Sequence, residues 1–333
     1  MERLIVDARG TERIIRPFSP YVPEVPEGQK IVFPDKKQYA IDWRKNLTQL
    51  SEIYKTIKEA EIVQEEGIYR VPFSNPEIPY AVGFVFSDAH IGSYSSDHDL
   101  VRDLLETVLA TPNGFLVDAG DTFDNGIWGG LSHEGIMPAY MQAFTIEDII
   151  REFGEKYAAC VIGNHPEWMF QASGVKPEYM FARQMKGVVF AGMGLLHLEV
   201  GEQKYDWALA HSFWGKSKKN IFNVCVNLRQ QEYPDADVFT VGHEHIWGHM
   251  KEMVDGRERL YIRPGTAKTS DRYARIHGIA KRGQSMGIAV VFGAKERSFG
   301  AYSIEEAVKL QFLRKEIAGL SGIYRTTTEK PLL

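Results

Sequence analysis

The sequence predicts an α/β protein in which two packed sheets are flanked by helices, behind an N-terminal extension. Three observations predict it. From about residue 80, short apolar runs rich in Val, Ile and Phe alternate with stretches of helical periodicity. Beyond about residue 188 strand-like runs dominate. Many of these runs stop at Gly, Asp, Asn or His, as strands do where they enter loops. Strands alternating with helices, then a strand-rich half, are the pattern of sheets covered on their outer faces.

The bounds agree with that class. A chain of 333 residues is long enough for one large domain with additions or for two modest ones. Apolar and charged fractions of 44% and 25% are those of a globular protein rather than a disordered or fibrous one. A net charge of -5 argues against a generally basic, nucleic-acid-coating surface and leaves local basic patches open. Cys160 and Cys225, the two cysteines, lack zinc-ligand spacing and are too few for a disulfide framework, so a reducing cytoplasm is the expected setting. The N-terminus carries no apolar core with a cleavage signature and no stretch is long enough to span a bilayer, so neither secretion nor a membrane partner is expected.

Taken in order, residues 1–79 read as an arm and a helix. Pro17, Pro20, Pro23, Pro26 and Pro34 interrupt the first forty residues. Leu47, Leu50, Ile53, Tyr54, Ile57 and Ile62 then follow helical spacing from about Asp42 to Glu66, ending at Gly67. Residues 80–300 read as the core. Strands are expected at 82–87, 114–117, 158–162, 188–190, 196–200, 205–210, 237–241, 259–263 and 287–292, and helices near 97–110, 138–156 and 217–231. Residues 301–333 read as a C-terminal helix, about Ile304 to Ala318, and a tail.

The chemistry lies at the strand ends. Asp88 with His90, Asp121, Asn164 with His165, His211, and His243 with His245 all follow apolar runs. Mixed imidazole and carboxylate ligands suit manganese, iron or zinc better than calcium or magnesium. They are too many for one ion, and a two-metal site with one bridging carboxylate accommodates them all. Such a pair polarises a phosphoryl group and holds a hydroxide for in-line attack, which points to phosphoester hydrolysis.

Ser87-Asp88-Ala89-His90-Ile91-Gly92, Gly120-Asp121-Thr122-Phe123-Asp124, Gly163-Asn164-His165, His211 and Gly242-His243-Glu244-His245 resemble, in order and spacing, the five motifs of the calcineurin-like metallophosphoesterases. The resemblance spans about residues 82 to 265 and implies the four-layer α/β/β/α sandwich of the metallo-dependent phosphatases. Carried over by residue, it implies that Asp88, His90 and His245 bind a first divalent ion. Asn164, His211 and His243 would bind a second, with Asp121 bridging the two. Manganese is the first choice of metal, with iron, zinc or nickel as alternatives. His165 would be the unbound imidazole acting on the phosphoryl or leaving group, and Asp124 would orient it by a hydrogen bond. The chain departs from the pattern in two places: Pro166 stands between the Asn-His pair and Glu167, and Ser212-Phe213 follows His211 where a glycine is common. The forms Ser-Asp-x-His-x-Gly and Gly-Asp-x-Phe-Asp look more like the DNA-repair nuclease and archaeal polymerase small-subunit branches than the protein Ser/Thr phosphatases.

The expected substrate is therefore a phosphodiester, DNA or nucleotide-like. A phosphomonoesterase is the rival within enzymes, and an inactive binding subunit is the rival outside them. Lys216, Lys218 and Lys219 after His211, and Lys268 and Arg272 within the basic stretch 263–282, are the expected substrate contacts. The same stretch reads equally as a solvated loop. Trp128 and His133, in the glycine-rich segment 126–135, read either as part of a substrate lid or as a plain surface loop. Trp168 and Trp247 read as packing that supports the site, and His98, His133, His197, His249 and His277 as surface or packing residues.

Overall fold

The computed structural model of the protein describes residues 3–6, 12–15, 47–48, 64–125, 135–173, 177–217, 219–269 and 285–310. The chain divides into two compact units, Met1–Ala60 and Glu61–Leu333. In the first unit β1 (Arg3–Val6) and β2 (Glu12–Ile15) pair antiparallel, with Arg3 opposite Ile15, and residues 47–48 are helical.

The second unit is mixed α/β, a large sheet with helices on it. Its strands are β3 (Gln64–Arg70), β4 (Tyr80–Phe86), β5 (Gly114–Asp118), β6 (Tyr157–Val161), β7 (Val188–Val200), β8 (Gln203–Ala210) and β9 (Val238–Val241). They continue with β10 (Trp247–Val254), β11 (Arg257–Thr266), β12 (Ser285–Met286), β13 (Ile288–Gly293) and β14 (Phe299–Tyr302). Its helices are α1 (His98–Ala110), α2 (Ala139–Phe153), α3 (Asn164–Ser173), α4 (Pro177–Gln184) and α5 (Asn223–Gln231). Residues 304–310 are helical, as expected; the rest of that expected helix, to Ala318, lies outside the described residues, as does the segment 126–134.

Two packed sheets are expected from the sequence; among the described residues hydrogen bonds join twelve strands into one continuous sheet. The order is β10-β11-β9-β8-β7-β6-β5-β4-β13-β14, with β3 on β7 and β12 on β11. The reason is β7. The runs 188–190 and 196–200, legible as two strands, are one strand whose start pairs with β6 and whose remainder pairs with β8. The sheet also turns back on itself. Trp207 of β8 and Phe292 of β13 stand five strands apart, about 24 Å in a flat sheet at ~4.8 Å per strand. Their rings are nevertheless 5.6 Å apart.

Alternate residues of each strand feed opposite faces. Val85, Val117, Leu209, Ile262 and Phe292 meet inside the fold of the sheet. On one outer face Phe84 and Leu116 pack with Leu104 of α1 and Ile146 of α2. On the other, Ala208, Phe239 and Tyr261 pack with Val224 and Leu228 of α5. Burial of these apolar side chains, roughly 1.5–3 kcal/mol for each large one, holds both halves of the sheet in place under the loops that follow their strands.

The helix expected to run to Glu66 is overturned at its end, since Gln64–Arg70 is strand β3, parallel to β7. Tyr69 is buried there and its hydroxyl donates to the Glu155 carbonyl at 2.6 Å. A sheet edge able to bury Tyr69 outweighs a weak helical periodicity. The helix expected at 217–231 starts only at Asn223. Before it, Ser217 Oγ accepts from the Asn220 amide and Asn220 Oδ1 from the Phe222 amide, local turns that compete with helix.

Candidate metal centre

β4, β5 and β6 run parallel, as do β8 and β9. Their C-terminal ends therefore deliver Asp88 and His90, Asp121, Asn164 and His165, His211, and His243 and His245 to one place. Three clusters form there: Asp88, His90 and His245; Asp121, His211 and His243; and His90, Asp121 and His165. Within each, the candidate ligand atoms lie within 4.8 Å of one another. Asn164 joins the second cluster, its Oδ1 3.1 Å from His211 Nε2.

The backbone is bent to achieve this. Asp88, His90, Asp121, Asn125, His243 and His245 all have positive φ, between 38° and 68°, a region that side-chain-bearing residues rarely occupy. Such conformations cost of order 1–3 kcal/mol each and persist where the surroundings over-determine them. Gly163 explains one glycine of the motifs: a Cβ there would collide with Asp121 Oδ1. Gly120, at φ +102°, would place a Cβ 2.5 Å from His211 Nδ1. The departure at Pro166 also has a reason, because it sits in the first turn of α3, where its missing N–H would have no intrahelical partner.

Asp88 is the most telling group. It is fully buried, and its Oδ2 accepts from the Ser87 hydroxyl at 2.6 Å and the His243 amide at 2.9 Å. Its Oδ1 has no hydrogen-bond partner, and faces His245 Nε2 at 3.4 Å and His90 Nε2 at 3.9 Å. Those two imidazole nitrogens are 3.2 Å from each other. Burial pushes this carboxyl up, but the facing His245 and the charges of His211 and His90 hold it well below the usual carboxylate range. A buried carboxylate oxygen left unpaired costs several kcal/mol. Convergent nitrogen and oxygen donors around it are what a divalent cation takes up, so these residues fit the metal.

The second cluster differs in charge. Asp121 Oδ1 accepts from the His165 amide at 2.9 Å and Oδ2 lies 3.0 Å from His211 Nε2. His211 Nδ1 is 2.9 Å from the Ala119 carbonyl, which only a protonated Nδ1 can satisfy, so Nε2 is the atom turned inward. Burial lowers the His211 pKa, but the Asp121 carboxylate more than reverses this and carries it from 6.5 to about 9. Burial raises Asp121 while His211 overrides it, leaving about 2. In the metal-free protein the His211 contribution to stability is thus complete below pH 6.5 and is lost as pH rises through about 9. The Asp121 contribution is present above its ordinary 3.8 and lost as pH falls through about 2. Chelator-treated protein should accordingly lose thermal stability between pH 6.5 and 9, whereas metal affinity should rise over the same interval as the competing proton leaves. A melting temperature that stays flat across that interval would remove this account of the pair.

His165 is buried, and its Nδ1 is hydrogen-bonded to the main-chain carbonyl of Asp124, not to the carboxylate that the resemblance implies. The Asp124 carboxylate instead lies 3.2 Å from His90 Nδ1 and 3.3 Å from Lys268 Nζ. Trp168 packs over His165, ring centroids 4.1 Å apart, in the supporting role expected of it. An open pocket of about 650 Å³ adjoins Asn164, His211 and His243 and is lined also by Glu167, Met193 and Ser212.

Of the expected substrate contacts, Lys216 and Lys219 are exposed on the segment after His211. Lys268 is buried against Asp124 and so does not stand on an open basic loop. Lys218 and Arg272 lie outside the described residues. Sequence reading missed Asp118, buried under the Asp121 turn and accepting from the Gly120 amide at 2.8 Å and the Tyr157 hydroxyl at 2.9 Å. It also missed Asn125, whose amide nitrogen donates to the His165 carbonyl at 3.0 Å. Asp118 ends a strand and Asn125 follows a motif, but neither position marks its partner.

No family model matches the chain, and no curated protein matches it. Among solved structures, Vacuolar Protein Sorting 29 from Cryptosporidium parvum matches at 15% identity and TM-score 0.34, covering 67% of this chain and 98% of its own. Chaetomium thermophilum Vps29 matches at 11% identity and TM-score 0.35, covering 66% and 96%. Likenesses at this level carry nothing about what this chain does. Among the described residues no helix is long and apolar enough to cross a membrane.

Proposed function

We propose that the protein is a phosphoester hydrolase that works with two divalent metal ions, manganese first among them, and that its substrate is a phosphodiester of DNA or a nucleotide-like molecule. The observation that carries the reading is Asp88 Oδ1, buried and without a hydrogen-bond partner between two inward-facing imidazoles. Asp88, His90 and His245 would hold one ion, Asn164, His211 and His243 the other, and Asp121 both. When bound, the ions polarise the phosphoryl group and activate water for in-line attack. On this reading the folded-over sheet and its helices form the four-layer α/β/β/α sandwich of the metallo-dependent phosphatases.

The chain's own residues supply the rest. His165, held through Nδ1 by the Asp124 carbonyl, has Nε2 left to carry a proton to the leaving oxygen. The pocket beside Asn164, His211 and His243 gives the substrate's organic group a place next to the ions. Lys216 and Lys219, exposed on the segment after His211, would meet further phosphates.

The test is turnover of bis-p-nitrophenyl phosphate, p-nitrophenyl phosphate, single-stranded DNA and duplex DNA in manganese, with chelator controls. Metal-dependent cleavage of the diester above the monoester is expected. A monoester preference would reassign the substrate class, and metal analysis returning less than one ion per chain would defeat the hydrolase reading in favour of a binding role.

A further inference from the structure

Lys268 is a buried cation beside this centre. Its side chain is 5% exposed and its Nζ lies 3.3 Å from Asp124 Oδ1. Asp124 is fully buried, and neither carboxylate oxygen has a hydrogen-bond partner. His90 Nδ1 faces the same Oδ1 at 3.2 Å, outside hydrogen-bond alignment, and has no other partner. A carboxylate in such a place needs a compensating positive charge, because its own desolvation costs several kcal/mol.

The main chain before and after Lys268 is sewn to the loop that carries Asp88 and His90. The Thr266 hydroxyl and the Ala267 amide both donate to the Asp88 carbonyl, at 2.7 and 3.2 Å. The Thr269 amide and hydroxyl both donate to the Ser95 carbonyl, at 2.8 and 3.0 Å. These bonds fix the backbone from which the lysine side chain projects. They also place its charge where the imidazole of His90 is oriented.

We propose that Lys268 is a positioning residue for the metal centre: it neutralises Asp124, and through Asp124 keeps the His90 ring turned so that Nε2 faces Asp88 and His245. This rests on the two-metal reading for its consequence, but the orientation of His90 can be read without metal. The cluster of Asp121, Asn164, His211 and His243 makes none of these contacts, so only the Asp88, His90 and His245 position should respond.

The experiment compares wild type, Lys268→Met and Lys268→Arg. In chelator-treated protein, ring-nitrogen NMR reports the His90 tautomer. In a manganese titration followed by calorimetry and electron paramagnetic resonance, separate ions are distinguished from a coupled pair. Lys268→Met should change the His90 ring signals and weaken one manganese step at least tenfold, the effect typical of losing an outer partner of a ligand. Lys268→Arg should restore both. Unchanged His90 signals and unchanged steps in Lys268→Met would overturn the proposal. So would a raised KM with both readouts intact, which would make Lys268 a substrate contact.

If Lys268→Met does not fold, the double variant Asp124→Asn with Lys268→Met, which strands no charge, should fold; failure of that variant too would overturn the assignment. A wild type that took up no manganese would defeat the metal reading, while the His90 signals would still decide the part played by Lys268.

Discussion

Replacing Asp121 with alanine should cost the protein manganese at both positions, each by more than the ~10–100-fold that losing an outer partner of a ligand costs. Asp121 is the one carboxylate placed in two of the three clusters, with His211 and His243 on one side and His90 and His165 on the other. Its removal also leaves the buried His165 amide without its 2.9 Å acceptor and His211 Nε2 without its 3.0 Å neighbour. The unpaired amide alone costs about 1–3 kcal/mol. The metal-free variant should therefore melt below metal-free wild type, and its His211 should titrate well below 9, having lost the group that raises it. Calorimetric titration of both steps is the check. One step unchanged would show that Asp121 serves a single ion, and two unchanged would remove it from the ligand set.

His165→Ala should behave in the opposite sense: both ions retained, turnover down by about 10²–10⁴, the usual contribution of a positioned acid or base. The distinction is not trivial, since by proximity His165 is itself a candidate ligand, grouped with His90 and Asp121. What separates it is its geometry. Nδ1 is taken by the Asp124 carbonyl and Nε2 stands 3.8 Å from Asp121 Oδ2, against 3.0 Å for His211. Loss of an ion from His165→Ala, by metal analysis, would make it a ligand. Full turnover would leave the leaving-group proton to some other group.

Much of the candidate centre is legible along the chain because each part of it is local. An apolar run of strand length followed by Asp, Asn or His reads the same wherever it occurs, and all seven candidate metal ligands come together in space. Less local features were not legible. Gln64–Arg70 shows partial helical periodicity, and only a free edge of β7 makes it a strand. β10 went unread because its residues are mostly exposed or half-buried and show no apolar alternation. Asp124 was legible as a partner of His165, but the contact runs through its carbonyl, a group every residue has.

The sequence by itself determined which chemical groups stand at the ends of which strands, and hence that nitrogen and oxygen donors would be available in numbers suited to two cations. Turn chemistry and strand period act over a few residues, so they can be read there. The tertiary structure alone decided that His90 would face His245 across 155 positions of chain, that one oxygen of Asp88 would be left unpaired between them, and that Lys268 would be buried. Those outcomes depend on a sheet folding back over its own core, where packing between distant strands sets each distance and no short stretch of chain carries the information.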